Sequence, residues 1–526
     1  MTREVTMSHP KLAIVLAATL ILISLLGRAV PTSSAAPGRS ALQTREQEQI
    51  DAYIHARMQA AHIPGLALGV VRGREVVYLK GYGIAEPNGR SVTPQTPFIL
   101  GSTSKSFTAL AIMQLFEAGK IDLDAPITTY LPWFRTADQA ASTRITVRSL
   151  LHQDSGLPVY EGLEGLSEDD QSDTALENGI RQLAGVQLNH PPGQTFEYAN
   201  ENYTILGLII QAVSARSYEE YIQSQIFAPL DMRHSAAAIS DPAVSDLASG
   251  YRSWLFWPVP FDAPYPRRMT PAGFLISSAE DMSHYLIAQL NGGAYGENQV
   301  VSPAGVAALH TAGATVNATT AYGMGWVIHH QPQATRFEHN GDVSTFHSNM
   351  LLLPEEQIGI VVLTNIGGVN NAAAMNIPIE GVAAILLGHG LSSSVDPPPD
   401  LIGPALPLAP LLILVVWIVG WYLAIRRWQH RDELTLGGMR RFWRYVLPLG
   451  VDLCLATLAW LIVPRLLHTP IATISLFAPD VFLSIVLITS LGLGWALVRT
   501  ILTFRPLVKA AKRVGIHHAA GSAVKQ

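Results

Sequence analysis

The sequence predicts an α+β domain with a mainly antiparallel sheet, led by a secretory signal and followed by three transmembrane helices. Three observations carry this reading. Strand-like runs pair as hairpins early and late in the first part of the chain, with helix-period segments between them. The extreme N-terminus has a charged, apolar and small-residue order. After Pro397-Pro398-Pro399 the chain turns into long apolar runs.

Composition bounds the problem. The chain has 526 residues, 48% hydrophobic and only 14% charged, with net charge −5. It is too apolar for a purely soluble protein, and its mild charge carries no nucleic-acid signal. The single cysteine, Cys454, excludes an internal disulfide framework and a Cys-based zinc site.

At the N-terminus, Arg3 and Lys11 precede Leu12 to Leu26, which holds no charge, and Ser34-Ala35-Ala36 fits a small-residue cleavage site. Segment 1–36 reads as a signal peptide or an uncleaved anchor, and either sends the following domain out of the cytoplasm. Residues 43–61 have helical spacing and end at Pro64-Gly65. Leu66 to Val71 and Glu75 to Tyr82 form a hairpin through Arg72-Gly73-Arg74. Phe98 to Leu100 leads through Gly101 into a buried helix that stops near Gly119.

Another helix-like piece ends at Leu150 to Leu157, where His152 reads as a structural histidine. Pro191-Pro192-Gly193 turns the chain into Phe196 to Tyr203, and an apolar helix follows from Ile205 to Val213. Tyr198 and Asn200 are thus placed in a loop before that helix, where an aromatic packs and an asparagine caps. Ala272-Gly273 marks a turn before a capped helix. Phe337 to Asp342 precedes a second hairpin, Met350 to Leu353 with Ile358 to Leu363.

Leu406 to Ile425, Tyr445 to Val463 and Val481 to Val498 are each long enough to span a bilayer. The loop from Arg426 to Arg444 holds six arginines, and the tail carries Arg499, Arg505, Lys509, Lys512, Arg513 and Lys525. The loop from Pro464 to Asp480 holds only Arg465. Charge bias puts the arginine loop and the tail in the cytoplasm and the first domain outside, in agreement with the N-terminal signal.

The chemistry centres on Ser102. It stands at a helix start, where free N–H groups and the dipole favour a developing anion. Lys105 lies one turn on, on the same face. That pair is a nucleophile beside a possible base, and equally an N-cap beside a solvated lysine. Partners decide it. Ser102-Thr103-Ser104-Lys105, Tyr198-Ala199-Asn200 and His339-Asn340-Gly341 follow in that order. The triple resembles the serine β-lactamase and penicillin-binding-protein superfamily. Its Tyr-x-Asn element resembles the class C-like branch, with its DD-peptidases, D-aminopeptidases and family VIII carboxylesterases.

The resemblance covers about residues 45–390. It implies an antiparallel sheet with flanking helices beside a helical subdomain. It also implies an acyl-enzyme on Ser102, with Lys105 or Tyr198 as base and Asn200 hydrogen-bonding Lys105 or substrate. His339 and Gly341 would orient substrate, and the backbone N–H groups of Ser102 and Asp342 would form the oxyanion hole. No metal or cofactor is implied.

The chain departs from the family at the third motif, where His339 replaces a lysine that offers carboxylates a permanent cation. A histidine is mostly neutral outside acid pH and gains charge as pH falls toward about 6.5. This points toward esterase- or peptidase-like activity and away from efficient β-lactam hydrolysis. The expected order is a signal or anchor at 1–36, a serine hydrolase domain at 37–395 and a Pro-rich linker at 396–405. Three transmembrane helices at 406–498 and a basic cytoplasmic tail at 499–526 complete it. The expected substrate is a small ester, a D-amino-acid peptide or a β-lactam-like amide. The competing expectation is a non-catalytic peptidoglycan or β-lactam sensor coupled to the membrane helices.

Overall fold

A computed structural model describes residues 42–255, 257–330, 335–368, 372–389, 408–429 and 447–522. The signal-like segment, the Pro-rich linker and the arginine loop beyond Gln429 lie outside the described residues. The chain divides into two compact units, residues 1–400 and 401–526.

The longer helices of the first unit are α1 (Thr44–Ala60), α2 (Ser104–Glu117), α3 (Asn200–Ser214), α4 (Ala279–Leu290) and α5 (Ala372–Leu386). Its main sheet contains β1 (Gly65–Arg72), β2 (Glu75–Gly83), β3 (Ala314–Thr315) and β4 (Thr320–Tyr322). It continues with β5 (Val327–His330), β6 (Thr335–Asp342), β7 (His347–Leu353) and β8 (Ile358–Thr364). The eight strands run in the order β2-β1-β8-β7-β6-β5-β4-β3, each neighbour antiparallel.

The early hairpin therefore closes on the late one. Leu66 pairs with Thr364 and Arg72 with Ile358. Strands β1, β7 and β8 are buried along nearly their whole length, because both faces are covered. On one face Ile50, Ile54 and Met58 of α1, with Ile379 and Val382 of α5, pack on Leu66, Leu68, Val70, Ile360 and Val362. The other face receives α4 at Gly69. A Cβ there would overlap Ser283 Oγ and lie 2.9 Å from the Ala279 carbonyl. Only a residue without a side chain lets this helix settle on the strand.

Beside the sheet lies a helical region with α2 at its centre. Its residues from Ser104 to Met113 are all buried, as the all-round apolar pattern predicts. Phe107 stacks on Tyr285 of α4 at 4.0 Å between ring centroids, joining helical region and sheet.

Two local expectations change. Asn200 is the first residue of α3, not part of the loop before it. The stretch Phe337 to Asp342 belongs to strand β6. Alternation explains the strand: His339 and Gly341 are buried, while Asn340 and Asp342 are partly exposed.

The second unit holds α6 (Ala409–Gln429), α7 (Leu447–Leu466), α8 (Ile471–Phe477) and α9 (Pro479–Ser522). One described segment, Pro479–Val498 of α9, is long and apolar enough to cross a membrane. Trp460–Leu466 and Ile471–Phe477 qualify only as a pair bent by 71°, and Pro410–Leu423 is shorter. The described residues thus contain one crossing helix, or two if the bent pair is one span, where three were expected. Pro464 within α7 and Pro470 before α8 account for the break in the second run.

The close approach at Gly69 gives a stability test. Gly69→Val should lower the unfolding free energy by about 1–3 kcal/mol through overpacking against α4. Gly185→Ala should stay within about 0.5 kcal/mol, because a Cβ there meets nothing within 4 Å. Urea unfolding of the two variants measures both; equal midpoints would contradict the packing argument.

Candidate active site

Ser102 sits in a 3₁₀ turn, Gly101–Thr103, between the short strand Phe98–Ile99 and α2. Gly101 has φ +58°, a conformation glycine adopts at little cost. A Cβ on it would lie 2.5 Å from the Gly341 carbonyl carbon and 2.6 Å from the Asp342 nitrogen. A Cβ on Gly341 would in turn meet the Leu100 carbonyl and lie 2.8 Å from the Ser102 nitrogen. The two glycines bring the end of β6 against the Ser102 turn. Thr103 locks the contact, donating to the Leu100 carbonyl at 2.9 Å and lying 3.0 Å from Ser348 Oγ of β7.

Lys105 projects from the first turn of α2 and is fully buried. Its Nζ lies 3.0 Å from Ser102 Oγ, 2.8 Å from Asn200 Oδ1 and 2.7 Å from the Ala272 carbonyl. The ring faces of Tyr198 and Tyr203 stand 4.8 and 5.7 Å away. Burial holds the amine's pKa well below the ordinary lysine range. Two ring faces attract a cation by about 0.5–2 kcal/mol, less than the loss of water costs a full charge.

Tyr198 stands close to Ser102. Burial raises its phenol pKa, the nearby Ser102 hydroxyl opposes this, and the Asp342 charge adds to it. The two neighbours of Ser102 are therefore pushed in opposite directions, the amine toward its neutral form and the phenol toward its protonated one.

The loop carrying Tyr198 is pinned from behind by Gln153, which sequence reasoning did not single out. Gln153 Oε1 accepts from the Ala199 N–H at 3.0 Å and from Asn202 Nδ2 at 2.5 Å. Its carbonyl accepts from the Glu197 N–H at 2.8 Å. Ser155 Oγ donates to Asn202 Oδ1 at 2.5 Å. The Leu150 to Leu157 stretch is thus the support of the Tyr198 loop. His152 of the same stretch packs against Gly313 and is no partner of Ser102.

His339 differs from expectation. It is 2% exposed, and both ring nitrogens are engaged. Nδ1 lies 2.6 Å from the Asn340 carbonyl and Nε2 lies 3.1 Å from the Tyr322 hydroxyl. A carbonyl only accepts, so Nδ1 carries the proton and Nε2 accepts from Tyr322. No ring N–H is left to offer a substrate in this arrangement. Burial pushes its pKa down to about 4, and Lys105 adds to that shift. It therefore stays neutral where ordinary histidine titrates, correcting the expected gain of charge near 6.5.

Ser102, Lys105, Tyr198, Asn200 and the backbone of Gly341 and Asp342 are thus gathered at one place, with His339 behind them. The elements doing this are the start of α2, the start of α3, the end of β6 and the Thr270–Gly273 turn. Sequence reading missed the Ala272 carbonyl, Tyr203 and Tyr322. The first is a backbone group, and the two tyrosines become neighbours of the site only through tertiary packing.

Residues 50–384 match the family described as Beta-lactamase. Protein flp of Staphylococcus aureus is 30% identical over 423 residues, covering 79% of this chain and 81% of its own length. An unguisins hydrolase of Aspergillus campestris is 27% identical over 359 residues, 64% of each chain. The octameric penicillin-binding protein homologue from Pyrococcus abyssi superimposes with a TM-score of 0.57 at 27% identity, over 68% of this chain and 80% of that one. With a family match across most of its length and a fold shared with a penicillin-binding protein homologue, this chain belongs to the beta-lactamase family.

Proposed function

We propose that the first unit is a serine hydrolase that forms an acyl-enzyme on Ser102. The observation that carries this is the buried Lys105 amine, 3.0 Å from Ser102 Oγ and held by two carbonyl-type acceptors. A neutral amine has two N–H donors. Asn200 Oδ1 and the Ala272 carbonyl only accept, so they take both and leave the lone pair toward the Ser102 hydroxyl. The family relationship supports the reading, as does a relative named as a hydrolase.

The chemistry follows from the opposed shifts. Lys105 is the base, because burial favours its neutral form; Tyr198 is the proton carrier, because burial keeps its phenol protonated. Ser102 Oγ attacks the substrate carbonyl as its proton passes to Lys105. The oxyanion is held by the N–H groups of Ser102 and Asp342. Each such donor is worth about 3 kcal/mol. Tyr198 protonates the leaving alcohol or amine and is reprotonated from Lys105. Water then reverses the sequence, giving up its proton as it attacks the acyl carbon and freeing Ser102.

Substrate choice follows from His339. It is neutral and turned inward, and Gly341 brings only backbone. Without a cation from this motif, neutral acyl esters and amides fit better than substrates held by a free carboxylate. The domain acts outside the cytoplasm, tethered by helices of the second unit. The proposed topology counts the shorter Pro410–Leu423 helix and the bent pair as spans beside Pro479–Val498, which leaves the arginine loop and the tail in the cytoplasm.

Four outcomes test this. A fluorophosphonate probe should add its mass to the Ser102 peptide in wild type, and labelling that survives in Ser102→Ala would refute the nucleophile. Lys105→Ala and Tyr198→Phe should each slow acylation by about 10²–10⁴-fold. The ratio of kcat/KM for a neutral p-nitrophenyl ester to that for a penicillin should favour the ester. It should also be flat from pH 5.5 to 8.5, because His339 does not titrate there. A ratio that falls with an apparent pKa near 6.5 would show a charged His339 reading the carboxylate. Finally, protease added to intact cells should remove the first unit and spare an epitope at Gln526; loss of that epitope would overturn the orientation.

A further inference from the structure

Two of the three oxygens around Lys105 come from separate elements. Asn200 opens α3, and the Ala272 carbonyl belongs to the turn Thr270–Gly273. The residues beside them join those elements. Arg268 Nη2 donates to Glu201 Oε1 at 2.9 Å, and the side chains are 4% and 0% exposed. Glu201 is the next residue after Asn200, and Arg268 sits four before Ala272.

The guanidinium lies in a slot made for it. A Cβ on Gly165 would be 2.6 Å from Arg268 Nε, and one on Gly179 would be 2.7 Å from its Cδ. Nη1 also donates to Glu168 at 3.0 Å and to Gln182 at 3.2 Å. The turn Gly165–Ser167 with Glu168 after it, the helix Ala175–Gln182, α3 and the Ala272 turn thus converge on one planar fork, a geometry lysine lacks.

We infer that the Arg268–Glu201 pair is a positioning device for Lys105, fixing the distance between Asn200 and the Ala272 carbonyl so that the amine's lone pair faces Ser102. This rests on the reading of Lys105 as the base. The groups facing that amine are Ser102 from the 3₁₀ turn before α2, Asn200 and Tyr203 from α3, Tyr198, the Ala272 carbonyl and His339. Glu338 and Asp342 stand beside His339 on β6. None of these is removed by changing the pair, so a changed titration would report geometry and water access.

The test is Arg268→Gln combined with Glu201→Gln, which removes both charges and leaves neither stranded. A misplacement of about 1 Å can cost about 10²-fold in rate. The double variant should therefore lose about 10- to 100-fold in kcat for a neutral ester with KM little changed. The acid limb of its pH–rate profile should move to higher pH, as water reaches Lys105. Arg268→Lys should recover part of both. Asp51→Asn, in the Lys80–Asp51 pair at 2.7 Å, is the control for stability alone and should lower Tm with the profile unmoved.

A double variant that loses Tm like the control, with kcat and acid limb unchanged, would overturn the inference. If wild type shows no Ser102-dependent turnover, the functional reading fails, and hydrogen exchange decides the pair. Linked loss of protection in residues 196–206 and 267–275 of the double variant would still support it; unchanged protection would overturn it.

Discussion

A lysine amine with no access to water must find every hydrogen-bond partner inside the protein, and the arrangement around Lys105 answers that demand. The buried α2 carries it, α3 delivers Asn200, and the turn at Ala272 delivers a carbonyl. The same burial that imposes the demand favours the form of the amine able to take a proton. Tyr198 meets the same environment with the opposite result, because its charged form is the deprotonated one. One physical condition, exclusion of water, pushes an amine and a phenol beside a single hydroxyl in opposite directions.

The sheet contributes the remaining side of the site. Joining β1 to β8 ties the two ends of the domain together, and the resulting sheet brings the end of β6 to the Ser102 turn. The contact is backbone against backbone through Gly101 and Gly341. This is why a site assembled from distant segments can place amide groups beside the Ser102 hydroxyl. Gln153 performs the matching task on the helical side, where one side chain and its own carbonyl hold the loop before α3.

Much of this was legible from the chain. The hairpins followed from apolar runs bounded by turn residues, and α2 from its all-round apolar pattern. The order of the three motifs identified the family. The misreadings share a cause: residue type was taken without its environment. A histidine at 339 suggests a group titrating near neutrality, yet burial and the Tyr322 hydroxyl make it a neutral interior residue. Asn200 looked like a cap because asparagine usually caps; its side chain instead serves Lys105. Partners such as Arg268 and Glu201 have no local signature, since their pairing spans 67 residues. In the second unit, hydropathy alone read three equal spans. The helices differ because Pro464 and Pro470 interrupt one run and another is short.

The central claim is that Lys105 is a neutral amine poised at Ser102. Side-chain ¹⁵N NMR of the wild-type protein measures this directly, with the resonance assigned through Lys105→Arg. The Lys105 Nζ signal should pass from the ammonium to the amine range well below the pH at which an exposed lysine does. An ammonium signal that persists through pH 9 would contradict the account, because a protonated Lys105 cannot accept the proton of Ser102.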